Sequence, residues 1–228
     1  MGNPMLSFCQ LARSQIAANG NVTNILALRG VDLTLFFRER CMGDPHTVST
    51  WACEWIKAWD FLSPVTQLAA IHYGASFMRW YILPCAQTYA TLSPLLRPLK
   101  EQLNIPHPVS LDLVHLPVVR QALLAGAKSW IDRVTPDSQH FNWGRGSRAA
   151  IMNAVLEPGS RPVKTLKPEF VAQCDLVSNW TLHESVVDDY PDVPKEVRLH
   201  GDDADPARFE PETDGREDYR PPELTAWS

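Results

Sequence analysis

The run Asn104–Arg120, NIPHPVSLDLVHLPVVR, carries two histidines and a carboxylate within seventeen residues. His107 stands between two prolines, His115 follows eight residues later, and Asp112 lies between them. Imidazole titrates near neutral pH, so a histidine oriented by a carboxylate can move a proton in a small-molecule pocket. The same residues also suit a stiff connection. Pro106 and Pro108 would hold the chain extended, His107 would bond the backbone, and Asp112 would pair with Arg120 or cap a helix. The residues alone leave both readings open.

Other candidates are more dispersed. His72 falls mid-helix between Ile71 and Tyr73, either as a hydrogen-bonded core group or as the lining of a bundle cavity. Trp51, Trp55 and Trp59, with Trp80 and Tyr81, can form a helix core or the wall of an apolar ligand pocket. Cys41 and His46 flank a turn without a second ligand pair, so no metal is expected. The loop Asn142-Trp143-Gly144-Arg145-Gly146 is expected to follow no strand, because nothing before it reads as one, and it lacks a phosphate-loop or dinucleotide pattern. A nucleophile elbow, HExxH and a calcium loop are absent, and no cofactor is expected.

The elements that must position these residues read as helices. Phe8, Leu11, Ala12 and Ile16 recur at helical spacing up to a stop at Asn19-Gly20. Val31–Phe37 is too short to assign to helix or strand, and Gly43-Asp44-Pro45 marks a turn. Ser49 or Thr50 can cap a helix in which Trp51, Trp55, Trp59 and Leu62 share a face. Ser63-Pro64 opens a long apolar helix to about Leu83. Gln67, His72, Gly74 and Arg79 interrupt it, so a buried core helix is expected rather than a membrane span. Shorter helical pieces follow at Thr88–Leu95, Leu99–Leu103, from Leu116-Pro117 towards Thr135, at Ser147–Leu156, Pro168–Val177 and Ser185–Tyr190. Alternating strand patterns are almost absent. The expected class is mainly α: one irregular helical-bundle domain with proline-rich connections and a disordered acidic C-terminal tail. The divisions are 1–48, an N-terminal helical segment; 49–193, the main domain; and 194–228, the tail.

Composition narrows the partners. The net charge of −5 belongs to the end of the chain, because residues 201–228 hold nine acids and three bases. The rest is close to neutral and has no dense basic patch, so direct nucleic-acid binding is not expected. Five scattered cysteines without a CxxC pair fit reduced thiols. No secretory or myristoylation signal is seen at the N-terminus, and the sequons at Asn21 and Asn179 read as chance. An intracellular protein, nuclear or cytoplasmic and not membrane-bound, is expected.

Leu96-Arg97-Pro98, Gln102-Leu103, Pro106-His107-Pro108, Asp112, Pro117 and Arg120 stand in an order that resembles an uncharacterised domain of filamentous fungi. That domain is found C-terminal to basic leucine zippers in proteins regarded as transcription factors. Arg79-Trp80, Pro84, Thr88-Tyr89, Asn142-Trp143, Phe170, Asn179-Trp180-Thr181-Leu182 and Tyr190-Pro191 match its outlying boxes, so the resemblance runs from about Thr50 to Val193. The chain departs from the pattern at Leu99, where the family has Thr, and at Val109-Ser110-Leu111, where an aromatic is missing. It also carries His115 in place of a usual proline. The zipper is absent too: residues 1–45 contain four arginines and no leucine heptad.

The resemblance implies a regulatory protein that acts through a helical protein- or ligand-binding domain, linked to secondary metabolism. Its partner would be a zipper-bearing transcription factor or a small-molecule metabolite. Phe209, Tyr219, Leu224 and Trp227 among the tail acids have the composition of an activation segment, or of a plain solvated tail. The alternative is a small cofactor-free cyclase or isomerase for an aromatic metabolite. In that reading the tryptophans wall the pocket and His107, His115 or His72, with Asp112, supplies the base. A histidine facing an apolar cavity is the feature that the alternative requires.

Overall fold

Ser63 and Pro64 start the helix around which the other elements are arranged. The Ser63 hydroxyl accepts from the Thr66 amide at 3.2 Å, and proline takes the first helical position, where no amide hydrogen is needed. This helix, α4, spans Pro64–Ile82 and ends before Pro84. Leu68, Ala69, Ile71, Ala75, Phe77 and Met78 are fully buried, so α4 is covered on nearly every side. The computed structural model describes residues 4–125, 139–143, 148–158, 163–186 and 195–201. Among them no helix is long and apolar enough to cross a membrane.

The N-terminal segment packs onto α4 and shares its core. Helix α1 (Pro4–Ala17) contributes Met5, Phe8, Cys9 and Ala12. It stops where Asn19 turns left-handed (φ 63°), with Gly20 donating to the Gln15 carbonyl at 2.8 Å and Asn19 to Ile16 at 3.1 Å. A Cβ on Gly20 would lie 2.5 Å from that Gln15 oxygen, so only glycine closes this cap without a clash. From α1, Arg13 donates to the Tyr81 and Ile82 carbonyls, groups left unpaired at the end of α4. The short α2 (Val22–Ile25) is followed by Leu26 and Ala27, whose carbonyls both accept from the buried Arg79 of α4.

Helix α3 (Val48–Lys57) is capped by Thr47, in a reciprocal pair with Thr50, rather than by Ser49 or Thr50. Its buried face is Val48, Ala52, Cys53 and Ile56, so the tryptophan stripe is not the face that meets the core. Small side chains let the two helices approach closely, while Trp51 and Trp55 stay half-buried on the flank. There they lie against α4 at Gly74, where a Cβ would meet Trp55 at 3.0 Å and Trp51 at 3.5 Å.

Beyond Pro84 the pieces are short, as the prolines suggest: α5 (Ala86–Ala90), α6 (Pro117–Ala125), α7 (Arg148–Val155) and α8 (Pro168–Cys174). Leu99–Leu103 forms hydrogen-bonded turns instead of helix. The expected extension of α6 towards Thr135, most of Ser185–Tyr190, and the acidic tail from Asp202 onward lie outside the described residues. The chain is mainly α, with one addition that the sequence did not suggest. Strand β1 (Gln139–Phe141) pairs antiparallel with β2 (Trp180–His183), which pairs parallel with β3 (Leu199–His200). Strands of two to four residues are too short to show an alternating pattern.

The connection between α5 and α6 is held by Arg120, which is fully buried. Its Nη1 donates to the Leu95 and Val114 carbonyls at 2.6 Å each, Nη2 to Arg97 at 2.9 Å, and Nε to Gln102 Oε1 at 3.1 Å. An ammonium cannot reproduce this planar fork. Arg120→Met is expected to destabilise the protein by at least ~3 kcal/mol in denaturant unfolding, because each orphaned buried acceptor costs about 1–3 kcal/mol. Arg120→Lys should recover little of that loss.

Candidate functional site

The motif around His107 is a continuous network built outward from Arg120. Gln102 Oε1, already bonded to Arg120, also accepts from the Leu99 amide at 2.8 Å, and its Nε2 donates to Asp112 Oδ1 at 2.6 Å. Asp112 in turn accepts from His107 Nε2 at 3.0 Å, and His107 Nδ1 donates to the Ile105 carbonyl at 2.6 Å. Burial alone would lower the His107 pKa. The carbonyl and the carboxylate together outweigh it, and the net direction is up. With both ring nitrogens engaged by acceptors, His107 has none left for a substrate in this arrangement. Asp112 meets His107 and Gln102, not Arg120.

His115 is in a different position. It precedes α6, directly after the Val114 carbonyl that Arg120 holds. Its ring stacks on Tyr73 with centroids 5.2 Å apart, and its centroid lies 3.7 Å from that of Trp180. The residue is 5% exposed, and its Nε2 is buried without a hydrogen-bond partner. Burial, helped by the Arg120 charge, pushes its pKa down to about 3, so the imidazole is neutral at pH 7.

His115 stands on the wall of a half-enclosed cavity of about 320 Å³. Helix α1 supplies Met5 to it, α3 and the turn after it supply Trp55 and Trp59, and α4 supplies Thr66, Ala70, Tyr73 and Gly74. The opposite side comes from the turn Val109–Leu113 and the two residues after it, from Gln139 at the start of β1, and from Trp180 at the start of β2. Among the described residues that line it, none carries a formal charge except through His115, which burial keeps neutral. Thr66 and Tyr73 spend their hydroxyls internally, on Ser63 and on the Cys174 carbonyl. The Gln139 carboxamide does not: its Oε1 is buried and unpartnered. His115 and Gln139 both line the cavity, and a buried polar atom left without a partner on each is costly to the ligand-free fold.

The cavity thus brings together His115, Trp55 and Trp59 of the residues singled out from the sequence. Trp51 is one turn back, stacked between Phe8 and Trp55 at 5.8 and 5.3 Å. Trp80 and Tyr81 are not on this wall; both pack against Phe77, on α4 beyond the cavity. His72 is also off the wall, half-buried beside Tyr73, with its pKa pushed down to about 4 by burial. The sequence reading missed Gln139, Tyr73 and Met5. Met5 and Tyr73 look like ordinary core residues, and Gln139 sits in a strand that shows no pattern. Trp180 was visible only as part of a motif box. Among the described residues no group of His, Cys, Asp and Glu is arranged to hold a metal ion, and the five cysteines are free thiols.

The two histidines should titrate with opposite effects on stability. His115 is lowered from an unfolded value of about 6.5, so its contribution is lost as the pH falls from about 6.5 towards 3. His107 is raised, so its contribution is present below about 6.5 and fades as the pH rises through its folded value. Melting curves from pH 4 to 8 are expected to show His115→Phe losing less stability than wild type on the acid side. The deficit of His107→Gln against wild type should shrink on the alkaline side.

Comparison with known proteins adds a family and no named relative. A family model described as "Domain of unknown function (DUF3425)" matches residues 75–200. No curated protein and no solved structure matches the chain.

Proposed function

The chain belongs to the DUF3425 family, and on that premise we propose that it is a regulatory protein whose helical domain binds an apolar small molecule. The observation that carries this reading is the cavity beside α4, walled by Trp55, Trp59, Tyr73 and Trp180, with unspent hydrogen-bonding groups on His115 and Gln139. An interior made only for packing has little use for a void of this size or for unpaired buried polar atoms. A ligand that fills the one and satisfies the other recovers both costs.

The same geometry favours binding over catalysis. A histidine whose conjugate acid has a pKa of about 3 is a weak base at pH 7, far from the near-neutral value that suits general-base work. His107 is engaged at both nitrogens. The regulatory setting rests on the resemblance: an intracellular protein, nuclear or cytoplasmic, that works with a zipper-bearing transcription factor in secondary metabolism.

The test is native mass spectrometry of the protein purified from its natural producer, followed by identification of what it carries. A single apolar metabolite, near one per chain and recovered unchanged after incubation, is expected. Ala70→Phe, which fills the cavity from α4, should release it while melting no lower than ligand-free wild-type protein. Consumption of the metabolite that His115→Ala abolishes would make the protein an enzyme. An empty wild-type protein would remove the ligand-binding reading.

A further inference from the structure

Resting on the reading of the cavity as a ligand site, we infer that its ligand is an uncharged, planar hydroxyarene whose hydroxyl bonds to Gln139 and His115 while its rings lie among the tryptophans. Three features of the cavity lead there independently.

The first is charge. Among the described residues no Lys, Arg, Asp or Glu lines the wall, and Arg120, whose charge reaches His115, is itself held by four acceptors. A carboxylate or phosphate in the cavity would be desolvated without a counter-charge, which costs several kcal/mol per ion. The ligand is therefore neutral.

The second is shape. The rings of Trp55 and Trp59 lie 5.0 Å apart on the wall, and Trp180 and Tyr73 line the same space, their centroids 5.2 Å apart. Aromatic walls of this kind pack best against flat π-systems, stacked or edge-on. A volume of about 320 Å³ is at the small end of the usual range of about 300–1,000 Å³ for ligand pockets, so a molecule of a few rings fits.

The third is polarity. Gln139 Oε1 is an acceptor that lacks a donor, and neutral His115 offers one donor and one acceptor while bonding to nothing with Nε2. The terminal torsions of both side chains are soft, so small rotations can turn these atoms to a guest. A hydroxyl, which donates and accepts, answers both. An aryl ether, which only accepts, leaves Gln139 Oε1 unpaired.

The experiment is calorimetric titration of the full chain at pH 7 with 2-naphthol, 2-methoxynaphthalene and naphthalene-2-carboxylate. The naphthol is expected to bind at least about tenfold more tightly than the ether, the worth of one hydrogen bond to an otherwise unpaired buried group, and the carboxylate not measurably. In Gln139→Leu the preference for the naphthol should fall to near unity, whereas in His115→Phe, which keeps the Gln139 acceptor, the preference should persist while the naphthol binds more weakly than to wild type. Both ligand-free variants should melt at or above the wild-type temperature, because an orphaned polar atom has been removed. Equal binding of naphthol and ether by wild type would overturn the hydroxyl assignment and leave the cavity as a ligand site. Tightest binding of the carboxylate would overturn neutrality. Binding of none of the three would overturn this inference together with the ligand-site reading.

Discussion

Arg120 has to be charged, buried and hydrogen-bonded at every nitrogen at once, and the path of residues 95–115 is what meets those demands. A guanidinium stays protonated in a protein, so its burial is tolerable only if each of its nitrogens finds an acceptor. The Leu95, Arg97 and Val114 carbonyls and the Gln102 amide oxygen are brought to it from four points along a winding connection. Gln102 passes the constraint to Asp112, and Asp112 to His107. A stretch whose regular elements are the short 3-10 turns Pro94–Leu96 and Val109–Leu113 is thereby tied together through one buried side chain.

That clamp explains how one wall of the cavity is placed. Val114 is pinned through its carbonyl, α6 begins two residues after His115, and the imidazole is left against Tyr73 and Trp180. The other wall comes from α3 and α4, where Gly74 lets the tryptophan rings approach the helix axis. Arg13 and Arg79 play a role like that of Arg120 on a smaller scale, each bonding two carbonyls to tie α1 and the α2 region to α4. Each of the three cations is thus spent on holding backbone acceptors rather than on lining the cavity.

The matched family segment, 75–200, contains the clamp, the His115 wall and the strand pair that brings Gln139 and Trp180 together. Met5, Trp55, Trp59 and the first half of α4 lie before it and yet complete the cavity. Asn142 and Asn179, which mark two of the short motif boxes, are tied across the sheet, Asn142 donating to the Asn179 carbonyl through its amide at 2.8 Å and its side chain at 3.2 Å. The boxes in this part of the chain hold elements together, and Gln139, one of the groups left unpaired, lies in none of them.

What the sequence determined by itself was local. Ser63-Pro64 starts α4 and Asn19-Gly20 ends α1, because capping and left-handed turns depend on neighbours a few residues away. The prolines cut the later chain into short pieces for the same reason. The tertiary structure decided which side of α3 is buried, since the apolar pattern allowed the tryptophans to be core and only the close approach of α3 to α4 moved them to the flank. It also separated His107 from His115. Eight residues apart in one motif, they differ because Asp112 and the Ile105 carbonyl reach the first, whereas the second meets rings from α4 and from β2, sixty-five residues further along the chain. Desolvation and orphaned hydrogen bonds are properties of what surrounds a group in space, and no spacing along the chain records them.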